Sequence, residues 1–425
     1  MNDISSNSTA IEISADAASA PDAHARTVLK LLESITQGEL EVVLPDSGAL
    51  HFGQSVRGEE GATSLHRAQL IVHDYSALSL ALSRGDVGFG EGYMQGLWST
   101  PDLTALLRLL IANREVLTRA VYGQWWSIAM DQIKHMLRFN RKSQARKNIA
   151  AHYDLGNDFY RCWLDPSMSY SSALFDGTGC WERAVDLPRG QLRKIDRAID
   201  EMQPHRFGPD SQILEIGCGW GGLAHRLLSR TPVRYTGLTL STEQKHWTEQ
   251  LLEPAGRQRF DVRLQDYRDE TGCYDGIVSI EMFEAVGERY WDAYFSMLAR
   301  CLKPDGVAVI QTITIDERLF KRYRRGTDFI QQYIFPGGML PSAQEFTSRA
   351  QAQGLTVTNT LAFGQDYART LAEWAKTFDG QRETIQSLGF DERFQRMWRF
   401  YLSYCEAGFA QNNIDVLQFT LRHAS

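Results

Sequence analysis

The sequence predicts an α/β protein: a doubly wound, mostly parallel sheet with helices on both faces, preceded by a smaller N-terminal α+β domain. Three observations carry this. From about residue 210, short apolar runs of strand length alternate with amphipathic runs of helix length, the pattern of a parallel sheet covered on both faces. The first of these strands leads into a glycine-rich turn, and acids stand just where strands end, the edge at which open α/β sheets bind ligands. Before residue 133 the pattern differs, with strand-like pieces around turns and a leucine-spaced helix.

In chain order, residues 1–26 carry acids and lack a basic start followed by an apolar core, so they read as a disordered tail rather than a signal peptide. Residues 27–133 form the N-terminal domain. "ELEVVLPDSGALHFG" supplies strand-like pieces about a turn, and "PDLTALLRLLIANREVL" a helix opening with Pro101. Residues 134–149 are a basic linker. Lys134, Arg138, Arg141, Lys142, Arg146 and Lys147 follow one another with no acid between Ile133 and Tyr153. Such a run is either a solvated face or a contact for anionic lipid headgroups, worth about 1 kcal/mol per basic residue at a charged membrane. The main domain spans 150–425. Its strands are "QILEIG", "RYTGLTL", "FDVRLQDY", "YDGIVSI" and "GVAVIQTITI", with helices "GGLAHRLLSR", "TEQKHWTEQLLEPAG" and "ERYWDAYFSMLARCL" between them.

Bulk properties narrow the function. With 425 residues, 43% hydrophobic, the chain is long enough for two domains, and a net charge of −7 argues against a general nucleic-acid binder. No cysteine of the six forms a C-x-x-C pair, which fits reduced thiols in a cytoplasmic protein. No run of about 18 apolar residues is present to span a bilayer.

Two stretches carry the chemistry. In "LEIGCGWGG", Gly217, Gly219 and Gly221 allow a tight turn and close approach of a ligand. The spacing departs from the dinucleotide fingerprint. Glu215, before the first glycine, would repel a pyrophosphate and attract a cationic aminoacyl group. In "SIEMFEAVG", Glu281 and Glu284 stand among apolar residues directly after a strand, although a buried lone carboxylate is costly.

The glycine segment resembles motif I of class I S-adenosylmethionine-dependent methyltransferases, which implies a Rossmann-like sheet of seven strands. The resemblance places ribose and adenosine at "GLTLSTEQ", with Thr239, Leu240 and Gln244, and the adenine amine at Gln265 and Asp266. More narrowly, "AHYDLGNDFYRCWLDPSMSYSSALF", "EMFEAVG", "YIFPGGMLPS", "FGQDYARTLAEW" and "IDVLQFTL", in this order, resemble the cyclopropane-fatty-acyl-phospholipid synthases and mycolic acid cyclopropane synthases. The likeness is weaker through the N-terminal domain.

That family implies a reaction. A cis double bond in the acyl chain of a membrane phospholipid attacks the sulfonium methyl of S-adenosylmethionine, and the resulting cation loses a proton to close a cyclopropane. The family also implies a bicarbonate ion as proton acceptor, held by Glu284, Tyr367, the Ser172 amide where relatives carry cysteine, the backbone at Ile313, and Gln311 where many relatives carry histidine. Glutamine can donate to an anion but takes no proton, so a methyl-branched or methylated-alkene product is the alternative, and a non-catalytic lipid carrier a further one. Tyr153, Tyr170 and Tyr367 match positions around the cavity, where aromatic faces attract cations. Phe283 and Trp374 read equally as core. Ser171 joins Tyr170 at the cofactor, Cys405 matches a cysteine near the cavity, and Glu281 is expected to be a supporting or structural acid. The segment Asp316 to Gly338 is expected to cover the lipid tunnel, its Lys321, Arg322, Arg324 and Arg325 meeting phosphate or solvent. The implied setting is the inner face of an anionic membrane, with peripheral attachment. Dimers are common in the family, which allows a homodimer.

Overall fold

A computed structural model describes residues 23–46, 48–54, 67–121, 155–175 and 185–424. The chain divides into two compact units, Met1–Ser127 and Ile128–Ser425.

In the first unit a four-stranded sheet runs in the order β2-β1-β3-β4. Its strands are β1 (Gly38–Val43), β2 (Ala49–Gln54), β3 (Arg67–Val72) and β4 (Trp98–Ser99). β1 pairs antiparallel with β2 and parallel with β3. Helix Ala23–Leu32 buries Ala25, Leu29 and Leu32 on one stripe. Ala23–Arg26, expected within the tail, begin this helix; residues 1–22 lie outside the described residues, as does the basic run 134–147. The leucine-spaced helix is Leu103–Ala112, capped by Asp102, whose carboxylate accepts from the Ala105 amide at 2.9 Å. At its end buried Asn113 accepts from the Thr36 and Gln37 amides and donates to the Gln37 and Leu109 carbonyls. One side chain thus satisfies the helix end and the turn before β1.

The second unit is built on a seven-stranded sheet in the order β10-β11-β9-β8-β5-β6-β7. Its strands are β5 (Gln212–Ile216), β6 (Arg234–Thr239), β7 (Phe260–Leu264), β8 (Tyr274–Ile280), β9 (Leu302–Ile315), β10 (Leu355–Ala362) and β11 (Ile414–His423). The run β9-β8-β5-β6-β7 is parallel. β11 enters antiparallel to β9, and β10 antiparallel to β11. Leu214, Ile277, Ala308 and Ile310 face one core with Phe295 and Leu298. Their neighbours Ile213, Val278, Val307 and Val309 face the other with Ile199, Leu223 and Leu227. Successive residues point to opposite faces, so strands buried on both sides read as continuous apolar runs. Strand order reverses between β5 and β8, the place where such sheets open a crevice at their carboxyl ends. Both stretches singled out in the sequence end there.

Candidate active site

The turn after β5 is shaped by its glycines. Gly217, Gly219 and Gly221 have φ of +81°, +53° and +83°, conformations that residues with a Cβ rarely adopt. A Cβ at Gly217 would meet Met282 at 2.8 Å, whereas at Gly219 nothing lies within 4 Å. The turn therefore packs on the loop after β8 and leaves an open cradle at Gly219. Glu215 is 3% exposed, and its carboxylate accepts from the Tyr235 hydroxyl at 2.5 Å. Burial pushes its pKa up to about 8, opposed by that hydrogen bond and by the charge of Lys194. A cationic ligand would favour the ionised form.

The neighbouring strand ends extend the cradle. At the end of β6, buried Thr239 donates its hydroxyl to Gln244 at 2.9 Å, accepts from the Ser241 amide, and gives its carbonyl to the Gln265 amide. Leu240, half-buried, stands between them. At the end of β7, Gln265 donates to Glu270, and Asp266 is gripped by Arg268 at 2.8 and 2.6 Å. The geometry suits S-adenosylmethionine: a buried carboxylate for a cationic aminoacyl end, an open glycine turn and polar strand ends.

The second cluster gathers at the ends of β8 and β9. Glu281 has φ of +49°, the left-handed region, which costs a non-glycine residue of order 1–3 kcal/mol. That turn aims its carboxylate at three donors from three elements. Oε1 accepts from the Ser172 amide at 2.9 Å and from Gln311 Nε2 at 2.7 Å; Oε2 accepts from the Tyr367 hydroxyl at 2.6 Å. The Glu281 amide in turn donates to the Gln311 carbonyl at 2.8 Å. Glu284 lies one turn on. One oxygen accepts from the Ile313 amide, and the other, buried, has no hydrogen-bond partner among the described residues. Burial first and the charge of Glu281 second push Glu284 up to about 8. Burial also raises Glu281, opposed by Tyr367, Lys194, Ser172 and Gln311. With three donors against one, Glu281 is the ionised member of the pair and Glu284 the protonated one.

Local packing explains how the donors arrive. Segment 170–175 is clipped in place by the Ala173 amide on Thr370 and the Phe175 amide on Asp366. Thr370 and Asp366 belong to helix Gly364–Gly380, which also presents Tyr367. The first amide of that helix donates to Asp415 on β11. The loop "FPGGM" is fixed by the Met339 amide on the Glu284 carbonyl at 2.8 Å.

Behind Gln311 the polar groups form a series. Gln418, directly opposite it on β11, donates to Gln311 Oε1 at 3.1 Å and accepts from Arg197. Arginine only donates and a carboxylate only accepts, so both amides are fixed in one orientation. Lys194, 1% exposed, donates to Ser171 Oγ at 2.5 Å. Burial lowers its pKa to about 8, resisted by the charges of Glu281, Asp165 and Glu215, so the lysine sits between the two clusters.

Of the residues expected at the site, Glu284, Tyr367, Gln311, Ser172 and Ile313 converge here, and Glu215, the three glycines, Thr239, Leu240, Gln244, Gln265 and Asp266 line the strand ends beside them. Tyr170 donates or accepts at Tyr401 at 2.8 Å, within a nest of Trp163, Trp374 and Phe335. Cys405 is half-buried, and burial pushes its thiol up. Phe283 is core, packed on Trp291, Tyr294, Phe295 and Phe346. Trp374 is fully buried between Tyr170 and Tyr367. Arg324 pairs with Glu288. Tyr153 lies outside the described residues. Two residues, Lys194 and Gln418, were not expected, and Glu281, expected as a supporting or structural acid, is the hub on which three donors converge. Lys194 had a signal, since it falls on the buried stripe of helix Leu187–Glu201 with Gly190, Gln191, Ile195 and Ala198.

The expected bicarbonate does not fit. The Ser172 amide, the Gln311 amide and the Tyr367 hydroxyl already donate to Glu281, and the Ile313 amide donates to Glu284. Of the expected set only the second N–H of Gln311 and the unpartnered Glu284 oxygen are left, too few to hold a free anion beside Glu281.

Comparison with known proteins agrees with this geometry. Residues 140–419 match the family model for mycolic acid cyclopropane synthetase. The chain is 39% identical, over 85% of its length and 84% of the relative's, to a tuberculostearic acid methyltransferase of Mycobacterium tuberculosis. It is 32% identical, over 89% and 94%, to the cyclopropane-fatty-acyl-phospholipid synthase of Escherichia coli. A crystal structure of a mycolic acid cyclopropane synthase complexed with SAH and CTAB superposes with a TM-score of 0.59 at 34% identity, covering 65% of this chain and 97% of that one.

Proposed function

The chain belongs to the mycolic acid cyclopropane synthetase family and is an S-adenosylmethionine-dependent methyltransferase, and from that premise we propose that it modifies the cis double bond of an unsaturated acyl chain in a membrane phospholipid, with a cyclopropane as product. The donor supplies an electrophilic methyl group. Glu215 would anchor its cationic end, and the Gly219 turn would let it approach the backbone. The carrying observation is the adjacency of this cradle to a carboxylate held by three donors, Glu281, backed by the aromatic faces of Tyr367, Trp374 and Tyr170. A carbocation formed between them would meet ring faces and a negative charge while water is excluded.

A second reading is a methylated alkene or methyl-branched chain. The relative named as a tuberculostearic acid methyltransferase favours it, as does Gln311, which cannot carry a proton. Peripheral membrane attachment belongs to the proposal, since the substrate resides in a bilayer. Binding to anionic vesicles should weaken with salt, and salt-insensitive binding would remove that part.

The deciding experiment incubates the purified full chain with S-adenosylmethionine and vesicles of a monounsaturated phospholipid. Expected is a gain of one CH₂ per acyl chain, with high-field cyclopropane proton signals and no alkene left to hydrogenate. A product of the same mass that retains its double bond would establish the second reading. Absence of any methyl transfer would overturn both.

A further inference from the structure

Building on that functional reading, we propose that Glu281 is a built-in replacement for a free oxyanion: its carboxylate occupies the anion site permanently and accepts the proton released after methyl transfer. Three observations lead here. The donors that converge on Glu281 come from segment 170–175, β9 and helix Gly364–Gly380, a convergence of the kind that holds a small anion, and a side chain fills it. The backbone at 281 adopts φ +49°, which glycine would accept without strain. A glutamate stands there despite the strain, and the turn delivers its carboxylate to the donors. Finally, the orientation series from Arg197 through Gln418 fixes Gln311 as a donor toward Glu281, so Gln311 supports a carboxylate and cannot itself be the base.

The step balances without an oxidant or reductant. The π electrons of the double bond form a carbon–carbon bond to the methyl carbon as its bond to sulfur breaks, the electron pair remaining on sulfur. Glu281 then takes one proton. If it comes from the new methyl group, the released C–H pair closes the three-membered ring. If it comes from the adjacent chain carbon, the pair forms an alkene. Either way the lipid gains CH₂ and the carboxylate gains a proton. Glu284, already protonated, is left to shape the pocket rather than to compete for it.

The test compares the wild type, Glu281→Gln and Glu281→Gly in buffer stripped of carbon dioxide, with and without added bicarbonate. The wild type should turn over at the same rate in both. Glu281→Gln keeps the shape and loses the base, and should fall at least 100-fold. Glu281→Gly relieves the backbone and opens the site, so it should fall similarly and recover at least tenfold with bicarbonate or formate. A separate readout needs no turnover: carbon-13 bicarbonate should show no bound state with the wild type and a saturable one with Glu281→Gly. A wild type that binds bicarbonate, or that loses activity when it is removed, overturns the proposal, and so does a Glu281→Gln enzyme of undiminished rate. If the wild type methylates no lipid at all, the functional reading fails instead, and the binding measurement still decides whether Glu281 fills the site. Thermal melting of each variant separates loss of chemistry from loss of fold.

Discussion

β5 and β8 lie side by side, and each delivers a carboxylate to the same edge of the sheet, Glu215 buried and Glu281 half-buried, yet the two ends are finished differently. At the end of β5, Glu215 has one hydroxyl partner and faces an open glycine turn. At the end of β8, Glu281 is saturated by three donors in a strained backbone conformation. A carboxylate left short of partners in the interior awaits a cation; a carboxylate fully supplied with donors is held ready as an anion. The difference lies chiefly in what the neighbouring strands and helices bring to each.

The contrast can be broken at either end. The largest effect is expected from Glu281→Gln, with turnover lower by about 10²–10⁴-fold, the usual contribution of a general base, and S-adenosylmethionine affinity by titration calorimetry within about twofold of wild type; a shift in affinity alone would merge the two roles. Glu215→Gln should do the reverse. Replacing a charge-assisted contact costs about 1.5–3 kcal/mol, so cofactor Kd should rise about 10- to 100-fold. An unchanged Kd would detach Glu215 from the donor.

Next in size is the turn itself. Gly221→Ala would put a Cβ 2.8 Å from Thr248 at φ +83°, and should lower unfolding stability by about 1–2 kcal/mol, the cost of a left-handed residue with a side chain. Denaturant midpoints equal to wild type would show that the turn relaxes freely. Tyr367→Phe removes one of three donors to Glu281 and should slow turnover by up to about tenfold, a net hydrogen bond being worth about 0.5–1.5 kcal/mol. No change in rate would mean that the phenol only packs.

A further effect is in pH dependence. Glu215 and Glu284 hold their protons up to about pH 8 when folded, against an ordinary glutamate value of 4.5. Between those values the folded chain binds more protons than the unfolded one, so this contribution to stability falls as pH rises and the fall ends above the folded pKa. Glu284→Gln should flatten the decline seen by urea unfolding between about pH 5 and 8. An identical slope in wild type and variant would mean that Glu284 is ionised throughout.

Much of this was legible in the sequence for reasons of local physics. The parallel strands are buried on both faces, so "IVSI" and "VAVI" read as strands without ambiguity, and the glycine turn announces itself because only glycine tolerates three left-handed positions in five residues. The gathering of Ser172, Gln311, Ile313 and Tyr367 was implied by the family resemblance and could not be read from spacing. Which of two glutamates would hold the donors could not be read, because a reach of three residues is settled by the φ of Glu281 and by the amide at 172. Gln418 was invisible for a related reason: its place opposite Gln311 depends on β11 entering antiparallel between β9 and β10, a matter of topology rather than pattern.

The glutamine pair also sets a limit on traffic. Carboxamides pass polarity along but do not hand protons onward, so the route from Arg197 through Gln418 and Gln311 is closed to hydrogen ions. A proton captured at Glu281 cannot drain backward through the sheet by that branch. It must leave on another side of the site before the enzyme can turn over again.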